Sequence, residues 1–167
     1  MKSLIFLLVS TIFISCSEPK KFEDSYKETV LLQYLTTVNA PQETCESMIT
    51  NKDLCFKAYA DSIGATFSNT TASIKTKTCQ DLLTNPLYKD MSGIAQTCAF
   101  DCQVTDWKTK TNSGICTKST IPALIESSLT SSSAISCLKS CFASTNNQIS
   151  NEKIPLYLLF NNIQHGE

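Results

Sequence analysis

The stretches Cys98-Ala99-Phe100-Asp101-Cys102 and Cys137-Leu138-Lys139-Ser140-Cys141 decide the fold, because each carries two cysteines four residues apart. Around both stretches, apolar residues recur at the three- and four-residue spacing of a helix with one buried face. Cβ atoms four residues apart on a helix are about 5 to 6 Å apart, whereas a relaxed disulfide needs about 3.5 to 4.5 Å. Neither pair is therefore expected to bond within its own helix.

The two stretches are expected to face each other as antiparallel helices. This packing places the first cysteine of one pair opposite the second cysteine of the other, which predicts the bonds Cys98–Cys141 and Cys102–Cys137. A redox dithiol or a four-thiolate metal site is the alternative use of the same residues. Its local support is slight, because Lys139 is the only nearby cation and no histidine is close in sequence.

An internal repeat supports a rival pairing. Residues 44–51 are echoed by residues 78–85, with Thr-Cys at the start and Thr-Asn at the end of both segments. Cys79 also precedes the first cysteine pair by nearly the distance at which Cys116 precedes the second. Duplicated helical hairpins, each stapled internally, would bond Cys79 into the first pair and Cys116 into the second. The sequence leaves both pairings open.

The composition indicates one helical domain without an electrostatic partner surface. The chain has 167 residues and a formal net charge of −1, and all of its cations are lysines. The lack of arginine removes the bidentate donor that phosphate recognition favours, so we predict no nucleic-acid partner. With only four glycines and little strand-like alternation, the sequence predicts an all-α fold, a small disulfide-stapled helical bundle.

Residues that carry catalytic chemistry are sparse. The single histidine, His165, lies two residues from the end of the given sequence, so histidine-dependent nucleophilic and metal sites are not expected. There is no Cys-x-x-Cys motif and no glycine-rich phosphate loop. The sequence therefore predicts a non-enzymatic protein with no cofactor and no metal.

Residues 1–15 have the layout of a secretory signal peptide, with an early lysine followed by an apolar run over residues 4–14. The run ends in Phe13-Ile14-Ser15-Cys16, which resembles the lipobox of bacterial lipoproteins. Leucine is usual where Phe13 stands, and spirochaete lipoproteins are looser at that position. The resemblance covers only the first tenth of the chain and implies that Cys16 is acylated and becomes the mature N-terminus.

Acylation of Cys16 also resolves an odd cysteine count, because nine cysteines then leave an even set for disulfides. Residues 16–23 are predicted to be the lipidated cysteine and a polar tether, and residues 24–167 the helical, disulfide-rich domain. The predicted disulfide cysteines are Cys45, Cys55, Cys79, Cys98, Cys102, Cys116, Cys137 and Cys141.

Three interruptions of the helices are predicted. Asn39-Ala40-Pro41 should end the first helix, and the Thr- and Ser-rich residues 65–78 should form a surface loop. A second polar loop is predicted over residues 105–114, with Asp106 as a solvated charge. That loop carries Trp107, the only tryptophan, which is a possible binding residue if it is exposed. The alternative is that Trp107 folds back and caps the edge of the core.

Three functions are compatible with these features. The first is a non-enzymatic lipoprotein that binds or scaffolds an unidentified protein, held by its N-terminal lipid on the bacterial outer membrane and facing the periplasm or the cell surface. The second is a secreted disulfide-rich inhibitor or toxin-like module. The third is a redox or metal protein that uses the paired cysteines.

Overall fold

The computed structural model describes residues 22–145 and 148–163, which form helices joined by short connections. The helices are α1 (Phe22–Ser62), α2 (Ala72–Thr84), α3 (Gly93–Asn112), α4 (Ile121–Leu129), α5 (Ser132–Ser144) and α6 (Ile154–Ile163), with a 3-10 turn at Asn151–Lys153. Over these residues the structure contains four disulfides and no β-strand. The predicted all-α, disulfide-stapled fold is confirmed.

The chain divides into two compact units, Met1–Gln33 and Tyr34–Glu167. In the first unit the structure describes only the beginning of α1. Since α1 starts at Phe22, the last two residues of the predicted tether are helical. The predicted signal peptide and Cys16 lie outside the described residues. The four disulfides, the core and the surface pocket all lie within the second unit.

The prediction that the first helix ends before Pro41 is wrong, because α1 continues through this proline to Ser62. Proline supplies no N–H to the helical ladder and typically costs about 3 kcal/mol in a helix interior. The turn that follows Pro41 is anchored to α2. Gln42 donates a hydrogen bond to the backbone oxygen of Thr76 at 3.2 Å, and Cys45 is bonded to Cys79. These tertiary contacts favour a continuous helix.

Helices α1 and α2 form an antiparallel pair, since successive contacts advance along one helix as they recede along the other. The Cys45–Cys79 bond is followed by the hydrogen bond from Lys75 to Thr50. The connection between the helices is fixed by the buried Asp53, whose carboxylate accepts from the backbone N–H of Thr70 at 2.8 Å and from its hydroxyl at 3.1 Å.

The predicted surface loop over residues 65–78 is only half correct, because α2 begins at Ala72. Thr71 is the N-cap residue, and its side chain accepts a hydrogen bond from the backbone N–H of Ile74. A cap of this kind satisfies one of the unpaired N–H groups of the first turn. The polar Thr and Ser residues at this point therefore start a helix.

Helices α3 and α5 form the second antiparallel pair, joined by two disulfides one turn apart. The bonds are Cys98–Cys141 and Cys102–Cys137, the two predicted from facing helical stripes. The rival pairing is wrong, because Cys79 bonds Cys45 and does not bond either cysteine of α3. Duplication within the sequence thus does not correspond to two internally stapled hairpins.

The fourth disulfide joins the two helix pairs. Cys55 of α1 bonds Cys116, which lies on the connection between α3 and α4. The repeat had predicted that Cys116 bonds a cysteine of α5, and this is also wrong. The bond forms a second, smaller apolar cluster with Trp107 and Leu124, separate from the main core.

The predicted loop over residues 105–114 is mostly helix, because α3 continues to Asn112. Gly114 follows the C-cap residue Ser113, and its φ of 71° is readily adopted only by glycine. Beyond it, the backbone N–H of Ile115 bonds the carbonyl of Lys110 at 3.1 Å, as in a Schellman motif. Trp107 consequently lies in the helix and is fully buried, so of the two roles weighed for it the structure shows the packed one and not an exposed binding residue.

The main core lies where α1, α2, α3, α5 and α6 meet. Tyr88, on the connection between α2 and α3, stacks on Phe100 with ring centroids 4.9 Å apart. Tyr157 of α6 packs against the same tyrosine at 5.5 Å. The core residues include Met48, Ile49, Leu82, Tyr88, Phe100, Leu138, Ile149, Tyr157 and Leu158. The stripes of the stapled pair bury Ala95 and Cys102 of α3 and Leu138 and Cys141 of α5 in this core, whereas Ile94 of α3 is exposed.

Candidate functional site

A surface pocket lies between α1 and the N-terminal half of α3. Its volume is about 330 Å³, and its lining residues are Ala40, Gly93, Ile94, Thr97, Cys98 and Asp101. The lining is mainly apolar, with one carboxylate contributed by the exposed Asp101. Ile94 is 69% exposed and lines the pocket without being packed in the core. The pocket can accept a small apolar group and opens on one disulfide of the stapled pair.

The two disulfides between α3 and α5 form a compact sulfur cluster. The Sγ atoms of Cys102 and Cys141 are 3.6 Å apart although they belong to different bonds. Cys102, Cys137 and Cys141 offer sulfur atoms that all lie within 4.8 Å of one another. Each of these sulfurs is bonded to another cysteine, so in this state the cluster offers no thiolate to a metal ion.

A buried carboxylate, Asp106, connects three helices. It is 5% exposed and forms an ion pair with Lys110, one turn further along α3 and 6% exposed. The Ser128 hydroxyl donates to it at 3.0 Å from α4, and the Ser131 hydroxyl donates at 2.6 Å from the N-cap of α5. The predicted role of Asp106 as a solvated surface charge is wrong. It has the partners that a buried carboxylate requires.

Trp107 is held beside this ion pair by polar and aromatic contacts. Its indole N–H donates to the side-chain oxygen of Asn162 at 3.2 Å, and the Lys110 ammonium lies 5.2 Å from the ring centroid. Phe56 packs edge-on against the ring, with centroids 5.6 Å apart. Asn162 also donates to Gln103 at 3.1 Å. These contacts give Trp107 a structural role in docking α6 and α1 onto α3.

Lys52 is the second buried lysine of this unit, at 4% exposure on α1. Burial lowers its pKa to about 8, and the neighbouring Asp53 carboxylate opposes part of this effect. Both carboxylate oxygens of Asp53 are engaged with Thr70, so the acid beside Lys52 already has two hydrogen-bond donors. Lys52 is therefore a charge that destabilises the fold at neutral pH.

The structure accounts for all eight cysteines that were predicted to form disulfides, in the four bonds described above. Cys16 is the ninth cysteine and lies outside the described residues. The sequence reasoning missed Asp106, Lys110 and Lys52. The sequence does contain a signal for the first two. Asp106 and Lys110 follow Cys102 at intervals of four residues, so they lie on the same helix face as this cysteine, beyond the point where the apolar pattern stops.

The pocket residues carried no comparable signal. Ala40 precedes the residues of α3 by more than fifty positions, and neither segment has a motif that points to the other. The polar character of Thr97 and Asp101 is ordinary for the outer face of a helix. Only the packing of α1 on α3 brings these side chains together.

Comparison with known proteins gives no match to a family model, to a curated protein or to a solved structure. A search of the helices over residues 22–145 and 148–163 finds none with the length and apolar content needed to cross a membrane.

Proposed function

We propose that the chain is a lipid-anchored, extracytoplasmic protein, acylated at Cys16, that acts as a non-enzymatic binding or scaffolding module. The observation that carries this proposal is the pairing of the cysteines. Eight of nine cysteines are used in four bonds, and the one left over is the cysteine of the lipobox-like segment. Four disulfides in a chain of this size favour an oxidising compartment.

The pocket between α1 and α3 is the candidate ligand site of this module. It is open to solvent and mainly apolar, and the exposed Ile94 at its edge offers contact area that the fold itself does not use. Small-molecule and peptide sites are typically concave and apolar with a few polar groups, which Thr97 and Asp101 provide here. The expected location is the bacterial outer membrane, facing the periplasm or the cell surface.

Acylation is tested with the full chain expressed in a bacterium that processes lipoproteins. We expect the wild-type protein to stay in the membrane fraction after an alkaline wash and to carry the mass of its acyl chains. The Cys16→Ser variant should be soluble or unprocessed, whereas the matched Ser17→Ala variant should behave as wild type. Membrane retention of Cys16→Ser after the wash would contradict the proposal. A secreted mature protein without acyl mass would favour the inhibitor-like alternative.

Ligand binding in the pocket is tested with the neutral apolar dye N-phenyl-1-naphthylamine. We expect the Ile94→Asp variant to lose most of the dye fluorescence of the wild-type protein, because a carboxylate in the mainly apolar lining disfavours a neutral apolar dye. The matched control is Ile115→Asp, which places the same charge at a residue that is 42% exposed on the connection after α3. Equal fluorescence of the two variants would show that the pocket is not the dye site.

A further inference from the structure

The two disulfides of the α3–α5 pair expose their ends unequally. Cys98 and Cys137 are partly exposed, whereas Cys102 and Cys141 are each 1% exposed. Each bond therefore joins one accessible cysteine to one buried cysteine. Because the helices are antiparallel, the accessible ends lie on different helices, Cys98 on α3 and Cys137 on α5.

The two buried ends touch each other. The 3.6 Å between the Sγ atoms of Cys102 and Cys141 is a van der Waals contact, since neither sulfur carries a hydrogen. Thiol–disulfide exchange proceeds by attack of a thiolate on a neighbouring disulfide sulfur. A thiolate formed at either buried position is thus in contact with a sulfur of the other bond, and it has to move into line with that bond to attack it.

We propose that these four cysteines form a thiol–disulfide exchange site. An incoming thiolate attacks one accessible cysteine, the buried Cys102 and Cys141 become bonded to each other, and the other accessible cysteine is released as a thiol. The ligand class is a thiol, from a small molecule or from a cysteine of another protein. This site goes beyond the proposed binding function and does not depend on acylation of Cys16.

The exchange balances in three steps. A thiolate RS⁻ attacks the sulfur of Cys98, an RS–S bond forms, and the electron pair of the broken bond leaves with Cys141. The Cys141 thiolate attacks Cys102, so the Cys102–Cys141 bond forms and the Cys137 thiolate leaves and takes a proton from water. A second RS⁻ then attacks the external sulfur on Cys98, RSSR forms, and Cys98 leaves as a thiolate that takes a proton from water. In sum, two thiols are oxidised to one disulfide and one protein disulfide is reduced.

Entry from the other helix gives the same product. Attack on Cys137 expels the Cys102 thiolate, which attacks Cys141 and releases Cys98. Both routes end with the buried Cys102–Cys141 bond and with free thiols at the two accessible positions. Burial makes a thiolate at Cys102 or Cys141 less stable than one at the partly exposed Cys98 or Cys137. The exchange therefore favours the products in which the free thiols are at Cys98 and Cys137.

The pocket supplies access to one of these ends. Cys98 lines the 330 Å³ pocket together with Ile94 and Thr97, so a small thiol can reach its sulfur from the surface. Asp101 lines the same pocket and is exposed. Its carboxylate repels an anion, so the thiolate of 2-mercaptoethanol, with one negative charge, should be slowed less than the thiolate of glutathione, whose net charge is more negative. The Asp101→Asn variant should reduce this difference.

The decisive experiment locates the free thiol in variants of the full chain in which one cysteine is replaced by serine. Cys98→Ser leaves Cys141 without its partner, and exchange predicts that most of the free thiol is found at Cys137. The protein is quenched in acid, alkylated while denatured, digested without reduction and mapped by mass spectrometry. A free thiol found only at Cys141 would overturn the proposal.

The matched control is Cys79→Ser, which leaves Cys45 unpaired. Within the described part of the chain, Cys102 and Cys141 are the only cysteines of different disulfides whose sulfurs touch, so Cys45 has no second disulfide in contact. The free thiol of this variant should therefore stay at Cys45. Migration to the same extent as in Cys98→Ser would show general scrambling and would also overturn the proposal.

Limited reduction of the wild-type protein gives a second test, which does not depend on any amino-acid substitution. With 2-mercaptoethanol below the level that unfolds the chain, the first two-electron product should contain a Cys102–Cys141 peptide, with Cys98 and Cys137 alkylated. A first product that keeps either original bond of the pair, with the other pair of cysteines alkylated, would refute the exchange. The mass of the N-terminal peptide is read from the same digest. The acylation of Cys16 and the disulfide exchange can therefore fail or succeed independently of each other.

Discussion

Removal of the Asp106 carboxylate should be among the most damaging single changes to this fold. In Asp106→Ala the Lys110 ammonium stays buried at 6% exposure without its counter-charge, and the Ser128 and Ser131 hydroxyls lose their acceptor. Breaking a buried ion pair by removing one partner typically costs about 3 to 5 kcal/mol. For a domain of this size, that corresponds to a decrease in Tm of roughly 6 to 20 °C.

The assay is urea unfolding of the oxidised protein, followed by far-ultraviolet circular dichroism and by the fluorescence of Trp107. The matched control is Asp101→Ala, which removes an exposed carboxylate from the same helix and should change the free energy of unfolding by less than about 0.5 kcal/mol. The double variant Asp106→Ala/Lys110→Met should recover most of the loss, because the unpaired ammonium is gone. A loss in Asp106→Ala no larger than that of the control would refute the reasoning.

Two further predictions concern Lys52 and the disulfides as a set. At pH 7 Lys52 is protonated in both the folded and the unfolded state, and as pH rises above about 8 the folded protein releases this proton first, so its contribution to stability increases with pH. The Lys52→Met variant should therefore be more stable than wild type at pH 7, by roughly 3 kcal/mol, with the gain shrinking as pH approaches about 10; a pH-independent gain in urea unfolding would contradict the cause. Complete reduction should remove helical circular dichroism cooperatively, because each bond contributes about 2 to 4 kcal/mol, and an unchanged Tm in excess reductant would contradict this.

The sequence was most informative where helical spacing and covalent geometry act together. Two cysteines four residues apart cannot readily bond each other on a helix, and two such pairs on apolar stripes can close two bonds from one antiparallel docking. This argument led to Cys98–Cys141 and Cys102–Cys137, both present in the structure. The repeat, by contrast, pointed to the wrong partners, because resemblance between segments carries no information about which faces pack.

Local signals failed where tertiary contacts compensate for them. Pro41 is a strong local stop signal, but the disulfide from Cys45 and the hydrogen bond from Gln42 hold the following turn in the helix. Asp106 and Trp107 lie in a polar stretch that resembles a loop by composition. A buried polar stripe and a solvated one look alike in sequence, and only the donors on α4 and α5 distinguish them.

The order of the four disulfides along the chain has a consequence for proteolysis. The bond Cys55–Cys116 begins inside the loop closed by Cys45–Cys79 and ends inside the loop closed by Cys98–Cys141. The bonds therefore overlap, and every peptide bond between Cys45 and Cys141 is spanned by at least one of them. A protease that cuts after the exposed Lys118 leaves a single covalent molecule, and the nick is visible only on a reducing gel.

A cut after Lys153 has the opposite outcome, because this exposed residue lies beyond Cys141 and residues 154–167 contain no cysteine. The released segment contains α6, which buries Tyr157 and Leu158 in the main core and Asn162 beside Trp107. The same enzyme thus leaves all residues covalently joined when it cuts at one lysine and removes a core helix when it cuts at another.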